Sequence, residues 1–156
     1  MTAPSFAPAP DPAAPASLLQ MMTGYWVSQA LYVTARLRVA DLLADGPRSV
    51  DALASAAGAH PAALFRVLRA LASVGVFTET APRTFVLTTL ADLLRSDVPG
   101  SMRALALPYA EEQYRAWEDL LHSVQTGTPA FDQRFGMPYF DYLAEHPDAD
   151  AVFKRR

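Results

Sequence analysis

His60, His122 and His146 are the residues of this sequence best suited to proton transfer or metal binding. They stand far apart, and none pairs with a carboxylate at metal-ligand spacing. His60 and His146 each precede a proline, which suits a capping or turn role, and a surface ion pair with Glu118, one helical turn earlier, accounts for His122. There is no cysteine, so thiolate nucleophiles, thiolate metal sites and disulfides are excluded. The seven glycines are isolated from one another, which rules out a nucleotide- or phosphate-binding loop. The serines show no nucleophile signature. Read this way, the sequence offers no catalytic residue and no metal site. What remains is a small set of arginines, Arg66, Arg69 and Arg83, and many aromatic rings.

The arginines sit in the most ordered part of the pattern. Between His60 and Phe77, Leu64, Val67, Leu68, Leu71 and Val74 recur at spacings of three and four, one face of a helix. Arg66, Arg69 and Ser73 fall on another face. Pro61 suits the first turn and Gly75 the left-handed residue past the end. A shorter helix, from Ser49 to Ala57, precedes it and is closed by Gly58. Val76 to Thr80 and Thr84 to Thr88 read as strands joined by a turn through Ala81, Pro82 and Arg83. Helix, turn, helix and hairpin make a winged helix-turn-helix.

The 156 residues hold one domain or a domain with a ragged end. Half of them are hydrophobic, so a core can form. The formal net charge is −3, with Lys154 the only lysine, and this gives no general attraction to nucleic acid or anionic membrane. No secretory signal is evident at the N-terminus, and with no cysteine to oxidise the expected compartment is the cytoplasm. Residues 1–16 carry five of the thirteen prolines, which predicts a disordered or extended tail.

Ser17 caps the next element, a helix from Leu18 to about Ala44 with a break near Leu37. No charge occurs between Asp11 and Arg36, and the apolar residues cover most of the circumference. Such a helix must be buried on all sides or cross a membrane. Gln20, Thr23, Ser28 and Gln29 interrupt it too often for a membrane span. Burial against a second copy is the economical solution, each covered side chain contributing roughly 1.5–3 kcal/mol. Leu90 to Arg95 adds a further helical turn.

Pro108 to Thr126 reads as a long helix. Ala110, Tyr114, Trp117, Leu121 and Val124 form its apolar stripe, Glu111 and Arg115 an exposed pair, and Gly127 its stop. Met137 to Glu145 and Asp148 to Arg156 read as two short helices among Phe131, Phe135, Tyr139, Phe140, Tyr142 and Phe153. The expected organisation is thus mainly α: a tail at 1–16, a dimerising winged-helix domain at 17–107, and a helical segment at 108–156.

Four pieces, in order, resemble the N-terminal dimerisation domain of small-molecule O-methyltransferases that use S-adenosylmethionine, of the bacterial polyketide and plant phenolic type. They are Leu37-x-Val39-Ala40-Asp41-Leu42-Leu43; Leu64-x-Arg66-x-Leu68-Arg69-x-Leu71 with Gly75-Val76-Phe77; Trp117-x-x-Leu120 leading to Thr126-Gly127-x-Pro129-Ala130-Phe131; and Phe135-Gly136 with Tyr139-Phe140. In that family the winged helix dimerises and helps wall the acceptor pocket, while a following Rossmann-like domain binds the cofactor. The resemblance therefore implies a homodimer and a small aromatic acceptor. It implies S-adenosylmethionine for the complete enzyme, with none bound by this chain alone. It points to Tyr114, Trp117, Tyr139, Leu143 and Phe153 as acceptor-facing residues, each of which plain core packing would also explain. The cofactor loop would lie beyond Arg156, so the expectation is either a fragment or a shortened homologue, with no catalytic residue to carry over.

Two other readings compete. A winged-helix transcription regulator needs polar side chains at the start of its recognition helix, where this sequence has Pro61, Ala62, Ala63, Leu64 and Phe65. A stand-alone homodimeric small-molecule-binding protein would share every feature above. Against the first, no specific DNA binding is expected: selection from random duplexes should return no motif, and nanomolar affinity for a defined site would reinstate the regulator.

Overall fold

The computed structural model describes residues 11–154. Twelve helices and a three-stranded antiparallel sheet are found among them.

The winged helix follows the expected pattern closely. Helix α4 (Val50–Ala57) starts where Ser49 Oγ accepts the Ala52 amide at 3.2 Å, and ends at Gly58 with φ +64°. Helix α5 (Pro61–Ser73) carries the buried face of Leu64, Leu68 and Leu71. Val74, expected on that face, is exposed because the helix has already ended there, with φ −111° and ψ 14°. Strands β2 (Phe77–Ala81) and β3 (Thr84–Leu87) form the wing, with Arg83 left-handed in its turn. A third strand, β1 (Arg48–Ser49), pairs with β3 and gives the order β1-β3-β2. Two residues are too few to show alternation, so the sequence did not signal it. Val39, Leu43, Val50, Leu53, Phe77 and Phe85 fill the core beneath these elements.

The uncharged helix is broken earlier than expected. Helix α1 spans Ala14–Met22, so it includes the end of the predicted tail and places Ser17 inside rather than at the cap. The rest of that tail, residues 1–10, lies outside the described residues. At Thr23 the hydroxyl donates back to the Leu19 carbonyl at 2.9 Å, and the Trp26 amide closes a three-residue step onto the Thr23 carbonyl. With Gly24 next, this separates α1 from α2 (Gly24–Arg36). The break near Leu37 is found where it was expected: Arg38 is left-handed, and α3 (Val39–Leu42) starts in a new direction.

Beyond α6 (Thr89–Asp92), the single helix expected from Pro108 is instead three. Pro108 lies inside α7 (Arg103–Ala110), where its ring removes the amide that the Ala104 carbonyl would accept. The chain turns at Glu111 (φ −101°, ψ −92°) into α8 (Glu112–Glu118), then again at Asp119 into α9 (Leu120–Thr126). Glu111 does not pair with Arg115 as expected; it accepts the Tyr32 hydroxyl at 2.8 Å and so ties α8 to α2. Glu118 is held by Arg134 rather than by His122, and Asp119 by the other arm of the same guanidinium. Helices α10 (Ala130–Phe135), α11 (Tyr139–Glu145) and α12 (Pro147–Phe153) follow, α10 not having been predicted.

At the corner after α2, Asp41 accepts the Ser96 amide at 2.7 Å, the Ser96 hydroxyl at 3.0 Å and Arg38 Nε at 2.9 Å. Partial burial works against its charge, but these donors outweigh it and hold the carboxyl below its ordinary value. A native pKa below the unfolded one gives stability that is present above roughly pH 4 and lost as pH falls through the native value. The Asp41→Asn variant should lose about 1–3 kcal/mol at neutral pH. Its urea midpoint should then fall less than the wild type's on acidification, which denaturation at several pH values will measure.

Candidate functional site

Two features stand apart from the core. The first is the face of α1 and α2. Neither helix carries a charged residue before Arg36, and α1 buries no residue at all. Met21 is 78% exposed and Trp26 61%, with Leu18, Leu19, Met22 and Tyr25 half or more exposed beside them. Between these helices and α5 runs an open groove of about 650 Å³, lined by Met21, Trp26, Val27, Ala30, Leu71 and Val74. Leu31 instead packs against the core.

The second feature is an aromatic cluster on α10, α11 and α12, centred on Phe131. Its ring stacks on Phe135 at 4.4 Å and meets Tyr139 and Tyr142 edge-on at 5.0 and 5.4 Å. Tyr139 touches Phe153 at 6.1 Å, and Phe140 closes the triangle at 5.9 Å from Phe153. Phe131 and Leu143 are buried with Ala116 and Ala130, a second small core that fixes the cluster against α8. His146 stacks on Tyr142 at 3.8 Å, and its Nδ1 lies 2.8 Å from the Tyr142 carbonyl, which makes it a local cap. Burial first, and then the charge of Glu112, push the Tyr142 hydroxyl above the ordinary tyrosine value. Such an array offers π-faces and edges to a planar ring rather than a base or a nucleophile.

The five residues singled out from sequence are therefore divided. Tyr139 and Phe153 lie together in the cluster, and Leu143 supports it from below. Tyr114 is half-buried with its ring 6.5 Å from Tyr25, at the junction of α8 with α2. Trp117 is 66% exposed. Phe131 and Tyr142, which hold the array together, were not singled out; their spacing with Phe135 and Tyr139, three to four residues each, was the available signal.

Two of the three winged-helix arginines, Arg69 and Arg83, are engaged within the chain, while Arg66 is exposed. Arg69 from α5 and Arg83 from the wing turn both lie over one ring, Phe65, at 5.7 and 4.7 Å, and Arg83 also donates to Asp51 at 3.1 Å. Among the described residues, no helix is long and apolar enough to cross a membrane, and no group of histidine and carboxylate side chains could hold a metal ion.

A winged helix with an uncharged, uncovered N-terminal arm and a C-terminal aromatic wall defines an assembly module. The chain belongs to the O-methyltransferase dimerisation domain family, whose model matches residues 19–97. It is 60% identical over 136 residues to the phenazine O-methyltransferase PhzM of Lysobacter antibioticus, covering 87% of this chain and 40% of that protein. It is 42% identical over 136 residues to the 8-amino-8-demethylriboflavin N,N-dimethyltransferase of Streptomyces davaonensis, covering 86% and 39%. The crystal structure of LaPhzM superposes with a TM-score of 0.87 at 57% identity, covering 91% of this chain and 43% of that one. The chain thus spans about 40% of the length of the curated relatives it matches.

The described residues do not fit a nucleoside cofactor such as S-adenosylmethionine. The seven glycines stand singly, at least nine residues apart, so they build no glycine-rich strand-to-helix turn of the kind that cradles such a cofactor. The strand-to-helix passages at Ser49 and Thr88 are closed by the chain's own hydroxyls, the latter accepting the Ala91 amide at 3.2 Å. The Phe131→Ala variant removes the ring on which three others rest, so a loss of about 3–5 kcal/mol is expected in urea denaturation.

Proposed function

We propose that this chain is the dimerising and acceptor-wall portion of an S-adenosylmethionine-dependent methyltransferase acting on a planar, fused aromatic acceptor in the cytoplasm. One observation carries the reading: the uncharged α1–α2 arm leaves six large apolar side chains exposed in a single chain. A contiguous patch of this kind marks an interaction surface, and in a dimerisation-domain family the natural cover is a second copy.

The acceptor follows from the aromatic array. Tyr139 and Phe153 present rings at steep angles to one another, and Leu143 holds their helix in place. Tyr114 and Trp117, on α8, we assign to the same acceptor wall by family resemblance. The two relatives named above carry phenazine and riboflavin in their names, both flat tricyclic systems that such rings suit. Methyl transfer itself we assign to a cofactor domain outside these residues.

The chain should be a homodimer at micromolar concentration. Trp26→Asp should give a folded monomer, because Trp26 is exposed within one chain and its replacement buries no charge there. Phenazine-1-carboxylate should quench the chain's fluorescence, whereas S-adenosylmethionine should neither bind nor be turned over. Light scattering, fluorescence titration and calorimetry test these points; a folded wild-type monomer, or micromolar cofactor binding, would overturn the reading.

A further inference from the structure

Helix α9 repeats the anomaly of α1. Its sequence, Leu-Leu-His-Ser-Val-Gln-Thr, has no acidic or basic side chain apart from His122, and it contributes no buried residue. Trp117 at the end of α8 is 66% exposed, Leu121 67% and Val124 76%, with Leu120 at 45% beside them. Leu121 and Val124, three residues apart, share one face of α9, and Trp117 precedes them across the turn at Asp119 to complete the stripe. The acidic residues that border it, Glu118 and Asp119, are drawn aside by Arg134 at 2.8 and 2.9 Å, so the stripe is bare of free charge.

This stripe continues the N-terminal face. Trp26 meets Tyr25 edge-on at 6.0 Å, Tyr25 lies 6.5 Å from Tyr114, and Trp117 is one turn beyond Tyr114. Apolar side chains therefore lead from Met21 through Trp26, Tyr25 and half-buried Tyr114 to Trp117, with Leu121 and Val124 beyond the Asp119 turn.

Resting on the dimer proposed above, we infer that the α8–α9 stripe is the second half of the subunit interface, covered by another copy of this chain. It lies outside the residues matched as a dimerisation domain, which end at 97. Area argues for the same occupant. At about 60–120 Å² per large apolar side chain, the area matching 1.5–3 kcal/mol at roughly 25 cal/mol per Å², the six on α1 and α2 supply about 400–700 Å². Obligate homodimers bury upwards of about 1,000 Å² per partner, and the four residues on α8 and α9 bring the strip to that size. Trp117 is then an interface residue, reaching the acceptor only through the assembled dimer.

The chain has two tryptophans, Trp26 and Trp117, one in each half of the strip. Oxidative footprinting read by mass spectrometry across the monomer–dimer range should show both protected at least fivefold in the dimer. Sedimentation equilibrium on a Leu121→Glu, Val124→Glu variant should show dimer dissociation weakened at least 100-fold with the circular dichroism unchanged. Protection of Trp26 without Trp117, or a dimer constant within threefold of wild type, would overturn this inference and leave the dimer itself standing. Protection of neither, with a monomer at all concentrations, would instead remove the dimer. If the double variant does not fold, the wild-type Trp117 footprint decides alone.

Discussion

The structure turns on the corner where α2 ends. The last carbonyls of a helix have no partner within it, and here the answer comes from far along the chain. Arg103 Nε donates to the Ala35 carbonyl at 2.9 Å, Arg38 takes a left-handed conformation, and Asp41 gathers Arg38 and Ser96 around one carboxylate. These contacts join α2, α3 and the segment before α7. They set the direction in which the uncharged arm leaves the core. The packing of α2 on α5 and α7, with Val27, Ala30 and Leu31 against the core, holds the same bearing.

A chain of this length has a limited interior. The winged helix uses it fully: Val39, Val50, Leu53 and Leu68 are without exposed surface. Little is left over to enclose α1 or α9, and those helices carry no charge that would reward contact with water. Their exposure in one chain is the surface that the dimer proposed above would cover. The aromatic cluster is different, since most of its rings already rest on one another.

The parts of the fold legible in the sequence are those whose causes are local. Ser49, Gly58, Pro61 and Gly75 mark helix ends by their own chemistry, and the spacing of Leu64, Leu68 and Leu71 fixes which face of α5 is buried. The breaks at Glu111 and Asp119 were not legible, because their cause lies elsewhere in the chain, at Tyr32 and Arg134. Strand β1 was missed for the same reason: it exists only as a partner of Phe85 and Thr84. Of the aromatic wall, Tyr139 and Phe153 were legible through family resemblance. The centrality of Phe131 was not, because a ring's place at the middle of a cluster is a property of how α10, α11 and α8 meet.

Phe65 sits at the start of what would be a reading helix, and two guanidinium groups rest on it, one from the helix and one from the wing. Each such contact is worth about 0.5–1 kcal/mol at an exposed site. To reach a phosphate backbone, either arginine would have to abandon the ring, and Arg83 would also have to leave Asp51. The wing and the helix are thereby riveted into one plate. The side chains with which a winged helix would grip a duplex are thus spent on holding its own helix and wing together.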